Sequence, residues 1–336
     1  MIEYIAALVR GQSLSEAEAS AAMEMIMRGV ATPIQIAGFI TALRFKGETV
    51  EEITGMARTA RALATPIQVS GEGLLDTCGT GGDVLGTFNI STLSAIVAAA
   101  CGARVAKHGN RAASSQCGSA DVLEALGVKI DLGPEKAAVC LREVGIAFLF
   151  APVFHPSFKH VAVPRRELGI RTVFNVLGPL CNPAGARRQA LGVADPTLAG
   201  RMAEVLSRLG VEHALVFHGK DGMDELTTTG PSQVIEVREG QMRSYELEPI
   251  DLGLPRAPLD ALRGGGPVEN AAIAREVLSG AQGARRDVVL LNSAAALVAG
   301  GIAPDFREGI GLAADAIDSG RAATVLGRWA KASQAA

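Results

Sequence analysis

The chain has 336 residues, 48% of them hydrophobic and 20% charged, which is globular composition and enough length for two domains or one large one. A formal net charge of −3, with 4% aromatic residues and a single Trp, leaves neither a general basic field nor a stacking platform for nucleic acid. Any specificity for an anion must come from a local site.

The five cysteines, Cys78, Cys101, Cys117, Cys140 and Cys181, form no C-x-x-C pair, which argues against structural zinc and a disulfide framework and fits reduced thiols in a cytoplasm. The opening "MIEYIAALVRG" is acidic too early for a signal peptide, and the apolar run Ala95–Cys101 is far too short to span a bilayer. A soluble protein is expected.

Residues 1–65 read as four helices. Ser13 with Glu16 makes a capping box, Gly29 stops that helix, Thr32-Pro33 starts the next, which ends at Gly47, and Thr49 with Glu52 opens a fourth. No charge or histidine cluster lies here, so this reads as a packing unit. After Pro66 short β-rich runs alternate with helices: "LLDTCG", helix Ile90–Ala100, "ARVAKHG", helix Ala120–Leu126, "IAFLFAP", "ALGVAD", helix Leu198–Leu209 and "HALVFHG". Paired strands follow near "TTTG" and in "SQVIEVREGQMRSYEL", with a hairpin turn at "REGQ", and the C-terminal quarter is helical again. The alternation predicts a mostly parallel sheet covered on both faces, with one antiparallel excursion.

Three loops carry chemistry. In "DTCGTGGDVLGTFNIST", Asp76–Thr92, a strand runs through glycines and an acid into a helix start, a pattern that lets backbone N–H groups approach an anion. It fits neither G-x-x-x-x-G-K-[ST] nor G-x-G-x-x-G, and the same residues also suit a tight strand–helix turn with Asn89 or Ser91 as N-cap. In "AKHGNRAASSQCGSADVLEALG", a strand delivers Lys107, His108, Asn110 and Arg111 to its carboxyl end, before Ser114, Ser115, Gly118 and Ser119. Ligands sit at such strand ends, so the two loops would grip a phosphate from both sides; His108 by itself better suits a structural role. In "HGKDGMDELTTTG", Asp221, Asp224 and Glu225 offer hard oxygen donors for magnesium and a diphosphate, or form a solvated acidic turn. A fourth element, "HPSFKHVAVPRRELGIRTVFNVLGPLCNP", presents Arg165 and Arg166, and an arginine fork suits a carboxylate.

Together "GTGGD", "TFNIST", "AKHGNR", "SSQCGSADVLEALG", "RRELGIRTVFNVLGPLCNPA" and "DGMDEL", in this order, resemble the anthranilate phosphoribosyltransferase family over nearly the whole chain. The resemblance implies an α/β fold of the nucleoside phosphorylase/phosphoribosyltransferase class: a small helical domain, residues 1–65 joined by a later insertion at about 160–185, and a large α/β domain, 70–336, with a mostly parallel central sheet. It implies transfer of the phosphoribosyl group of phosphoribosyl pyrophosphate (PRPP) to the amine of anthranilate in tryptophan biosynthesis, with Mg2+, in a cytoplasmic homodimer joined through the helical domain.

The residues it implies for PRPP are Gly79, Gly82, Asp83, Thr87, Asn89, Ile90, Ser91, Thr92, then Lys107 through Gly109, Asn110, Arg111, Ala112, Ala113, Ser114 and Ser115, with His108 within that run, and Ser119. Gly79, Asn110 and Arg165 match the anthranilate positions, and Ser91, Asp224 and Glu225 those of the metal. Lys107, His108 and Arg165 are the catalytic candidates, His108 as a positioning group or late proton acceptor. Two departures stand out: Val84-Leu85 follow the GTGGD acid where the family often has glycine, and Val163-Pro164 replace Pro-Val, so that a proline directly before Arg165 restricts Val163 and is expected to tilt the arginine. A pyrimidine-nucleoside phosphorylase shares the pattern G-[ST]-x-D-x-L-E, here Gly118–Glu124, but needs no Asp-Glu metal pair; a nucleic-acid-binding relative is disfavoured by the charge.

Overall fold

The computed structural model describes residues 1–69, 73–83, 85–112 and 115–335. The chain opens with helices α1 (Ile2–Val9), α2 (Glu16–Met27), α3 (Pro33–Lys46) and α4 (Val50–Ala62). Capping boxes fix the starts of α2, α3 and α4, through Ser15–Glu18, Thr32–Gln35 and Thr49–Glu52; losing such a cap costs about 1 kcal/mol. The cap of α2 is therefore Ser15, and not the expected Ser13. The reason lies at Leu14, whose N–H donates to Glu52 Oε1 at 2.9 Å and holds the chain outside the helix until Ser15. Glu52 is fully buried and also pairs with Lys46 at 2.9 Å, so one carboxylate ties the α2 entry, the α3 end and the α4 start together.

The second part builds on β1 (Leu74–Gly79), α5 (Ile90–Ala100), β2 (Arg104–Gly109), α6 (Ser119–Ala125), α7 (Pro134–Glu143) and β3 (Ile146–Phe150). Then come α8 (Ala151–Phe154), α9 (Lys159–Leu168), α10 (Phe174–Leu180), β4 (Arg188–Gly192), α11 (Pro196–Arg208) and β5 (His213–Gly219). The hairpin β6 (Ser232–Arg238) and β7 (Gln241–Leu247) follows, and α12 (Pro267–Leu278), α13 (Ala284–Ala299), α14 (Phe306–Asp318) and α15 (Arg321–Ala335) close the chain. The strand order is β3-β2-β1-β4-β5-β6-β7, parallel from β3 to β5 and antiparallel at β6 and β7. No strand forms at "TTTG"; the Thr227 and Thr229 hydroxyls both donate to Asp221 at 2.7 Å and curl that stretch into a loop.

The sheet divides two cores. One face carries α5, α13 and the C-terminal helices, packed through Leu93, Ile96, Leu291 and Trp329. The other face, with Leu191, Val193 and Val216, meets α11 and the N-terminal helices, and Val161, Phe174, Leu177 and Leu180 from α9 and α10 join Phe39, Ile40 and Leu43 in that same core. The chain order reverses between β1 and β4, so a crevice opens at the carboxyl ends of those strands.

Candidate active site

Backbone first explains why acids gather here. β1 and β4 both end in glycine, and the loop after β5 lies directly against them: a Cβ on Gly79 would come within 2.4 Å of Asp224 Oδ2, and one on Gly192 within 1.6 Å of the Asp224 carbonyl. Gly192 lets the acid loop rest on the sheet, and Gly79 leaves room for the Asp224 carboxylate. Asp224 Oδ2 then accepts the Gly81 N–H at 2.7 Å, while Glu225 Oε1 accepts the Ser91 N–H at 3.0 Å, where α5 begins. Asp83 follows the same glycine turn, and its Oδ2 is buried without a partner.

Crowding sets the charge state. Burial, followed by repulsion from Asp83, pushes Asp224 up to about 6. Burial and then Asp224 push Glu225 well above the ordinary carboxylate range, and burial raises Asp83 as well. The cation facing them is Lys107, completely enclosed beneath the rim. Its Nζ donates to the Thr77 carbonyl at 2.5 Å and to Ser91 Oγ at 3.4 Å, and burial lowers its pKa against the pull of Asp76. Asp76, at no exposure, is pushed up to about 6 by burial and accepts from His108 N–H at 3.1 Å and Asn182 Nδ2 at 2.8 Å.

A second wall runs from the end of β2 toward α9 as a ladder of rings. His108 and His155 lie 5.1 Å apart, His155 and Phe158 5.1 Å, Phe158 and Phe174 5.8 Å, and the Arg165 guanidinium sits 5.8 Å over Phe174. Carbonyls can only accept, so the contacts of His108 Nδ1 to Gly178 O at 3.1 Å and of His155 Nε2 to Cys181 O at 2.8 Å fix the proton on those nitrogens. The opposite nitrogens, His108 Nε2 and His155 Nδ1, are buried lone pairs with no partner. Burial pulls His108 down to about 3, so it stays neutral, which favours the positioning role over that of a late proton acceptor. Burial alone lowers Arg165, with no carboxylate acting on it. α9 continues through Pro164 with Val163 helical: the helix packing of Val161 and Pro164 overrides the local pre-proline preference.

The remaining candidates divide. Gly79, Gly82, Asp83, Ser91 and Lys107 surround the acids, and Ile90 and Thr92 are buried in the first turn of α5. Asn89 starts that helix but makes no capping bond; its amide instead donates to Cys117 O at 3.1 Å and accepts from Asn270 Nδ2 at 2.9 Å, clamping the two loops to α12. Thr87 bridges to Arg263. Gly109, Asn110 and Ser119 lie at the end of β2, with Ser119 Oγ donating to Asn110 O at 3.2 Å. Asp121 Oδ2 accepts from the N–H of Ala112 and of Gly118, at 2.9 Å each. Arg111 does not join the lysine and acids: it is exposed, paired to Asp121 at 2.9 Å and Glu124 at 2.8 Å, and faces a separate 330 Å³ cavity beside Phe150. Ser115 is exposed, and Ala113 and Ser114, like Val84, lie outside the described residues. His155, Asn270 and Arg171 belong to the site and carry no motif of their own.

A divalent cation fits this rim. Asp83 holds an orphaned buried oxygen, and Asp224 and Glu225 are hard donors raised by burial and then by neighbouring carboxylates. Among the described residues no group of three or more His, Cys, Asp or Glu could hold a metal alone, so the site suits an ion such as Mg2+ that takes few carboxylates and completes its shell with ligand oxygens.

A helical bundle beside an acid-rimmed parallel sheet is the build of a glycosyl transferase: residues 71–323 match the family model described as glycosyl transferase family, a/b domain, and residues 2–64 that of its helical bundle domain. An anthranilate phosphoribosyltransferase of Streptomyces coelicolor is 59% identical over 95% of this chain and 96% of its own, and one of Moorella thermoacetica 58% identical over 96% and 95%. The crystal structure of the Thermus thermophilus anthranilate phosphoribosyltransferase superposes with a TM-score of 0.93 at 48% identity, covering 98% of this chain and 99% of that one. The Saccharomyces cerevisiae enzyme in complex with PRPP and Mg gives 0.91 at 29% identity over 100% and 98%. The chain belongs to the anthranilate phosphoribosyltransferases.

Proposed function

We propose that this chain transfers the phosphoribosyl group of PRPP to the amine of anthranilate, releasing pyrophosphate, as a step of tryptophan biosynthesis. What supports this reading is an acid rim over a buried lysine at the carboxyl ends of β1 and β2, with a ladder of rings running from His108 to a partly buried arginine that pairs with no carboxylate among the described residues. The rim and the glycine turn take the diphosphate; Arg165 takes the carboxylate. Ser91, Asp224 and Glu225 would hold Mg2+, which when bound neutralises charge on the leaving diphosphate.

The nitrogen lone pair forms the bond to ribose C1 as the C1–oxygen bond to pyrophosphate breaks, and the amine afterwards loses its proton to water. An aryl amine needs no deprotonation before attack, which fits a ring wall whose two histidines, His108 and His155, are neutral. Lys107 supplies fixed positive potential under the rim. The buried lone pairs of His108 and His155 offer acceptors for the amine hydrogens and so orient it. Closing both substrates in one crevice contributes up to roughly 7–11 kcal/mol to the barrier reduction.

We further read residues 1–65 with 160–185 as one lobe and 70–336 as the other, a homodimer formed through the first, and a cytoplasmic location. Ile34 and Phe45 on α3 are 85% and 94% exposed and Ile2 on α1 is 71% exposed, an apolar set a partner copy would cover, and all five cysteines are free thiols. Among the described residues no helix is long and apolar enough to cross a membrane. The test is fluorescence: purified protein with Mg2+ is expected to consume anthranilate only when PRPP is added. Unchanged fluorescence, or phosphorolysis of uridine or thymidine, overturns the reading.

A further inference from the structure

The short connection from Gly169 to Thr172 links α9, which ends just after Arg165, to α10. Arg171 within it reaches across to the glycine turn after β1. Its Nη1 donates to the Gly81 carbonyl at 2.8 Å and its Nη2 reaches the Thr80 carbonyl at 3.5 Å. The guanidinium fills the place of a missing side chain, since a Cβ on Gly82, which has φ +80°, would lie 1.5 Å from Nη1. The N–H of the same Gly81 is held by Asp224 Oδ2 at 2.7 Å. One peptide unit on either side of Gly81 is thereby gripped by opposite walls of the crevice, by a carboxylate from the sheet side and a guanidinium from the helical side.

We propose that Arg171 is a positioning residue that sets the Thr80–Gly82 turn for the diphosphate and couples occupancy of that turn to the placement of Arg165. The proposal rests on the functional reading above. The chemistry is specific: two successive carbonyls present acceptors only, and a planar fork with several donors can span them where an ammonium, a point donor, reaches one. Arg171 is exposed, so its bonds add little to global stability. Their effect falls on the fraction of molecules whose turn is ready for ligand, and apparent affinity falls in proportion to that fraction. Because the connection that carries Arg171 follows directly on the helix that carries Arg165, a ligand that fixes the turn also restrains Arg165, and such coupling is reciprocal.

The experiment compares full-length wild type, R171K and R171A for both KM values, kcat and the thermal midpoint, with anthranilate KM taken at low and at saturating PRPP. R171A is expected to raise the PRPP KM about tenfold, to change kcat by less than about threefold and to leave the midpoint in place. It also flattens the dependence of anthranilate KM on PRPP, and R171K restores part of the loss. A PRPP KM within about twofold of wild type, or a loss of kcat and midpoint at unchanged KM, overturns the proposal. Failure of wild type to turn over would sink the functional reading on its own; calorimetric titration of wild type and R171A with PRPP alone still decides the role of Arg171, equal or absent heats counting against it.

Discussion

The two ends of the crevice are built on opposite principles. At the sheet end, Asp83, Asp224, Glu225 and Asp76 crowd around one enclosed lysine, and burial holds the acids above their usual range. At the helical end, two neutral imidazoles and two phenyl rings lead to one arginine with no acid beside it. The first wall is an excess of negative charge that a cation relieves, and the second is a lone positive charge that a carboxylate relieves. The difference teaches that one fold can leave charge of opposite sign unbalanced at two places, which is the basis of the proposed division between the two substrates.

The strongest way to break that contrast is at the acid rim. Asp224→Asn is expected to lower metal-dependent turnover by about 10²- to 10³-fold while leaving the thermal midpoint equal or higher, because it relieves a buried carboxylate cluster. Full activity in steady-state assays would return the loop to solvent.

At the other end, Arg165→Ala is expected to raise the anthranilate KM about 10- to 100-fold with the PRPP KM within about threefold. Equal effects on both KM values would erase the division between the walls.

The same contrast has a pH signature. Asp224 is ordinary when unfolded, with a value of 3.8, and about 6 when folded, so its ionisation opposes folding. The associated stability is complete below about pH 4 and is lost as pH rises through about 6. Asp224→Asn lacks this loss and is therefore expected to gain up to about 3 kcal/mol on wild type between pH 4 and pH 7, read from urea midpoints. His108 works in the opposite sense, its contribution fading as pH falls from 6.5 toward about 3, but both proteins carry it and it cancels. A gap that does not move with pH would mean Asp224 is not strained by its neighbours.

The smallest effect is expected at Arg111. Its guanidinium is already engaged by Asp121 and Glu124 on an exposed surface, so Arg111→Ala should change either KM by less than about threefold. A large rise in the PRPP KM would move Arg111 back into the pocket.

Much of this was legible in residue order. The caps at Thr32 and Thr49 and the two strand-to-helix loops are local, so neighbouring residues announce them. Ser13-x-x-Glu16 and Ser15-x-x-Glu18 satisfy the same pattern, and only Glu52, on another helix, selects the second. Arg111 reads as a phosphate cation until α6 turns Asp121 and Glu124 toward it. Arg171, Asn270 and His155 stay silent because their partners are carbonyls or amides brought from distant parts of the chain. Residue order puts Lys107 near its strand end, but its enclosure under Ser91 depends on how the start of α5 packs over β2.

The acid loop lies where it does because Gly79 and Gly192 present bare backbone to it. A single methyl on Gly192 would prop the loop outward by more than an ångström, whereas one on Gly79 would displace the Asp224 carboxylate. Substitution along the loop can therefore retune the pocket in small steps, whereas the flooring beneath it is all or nothing.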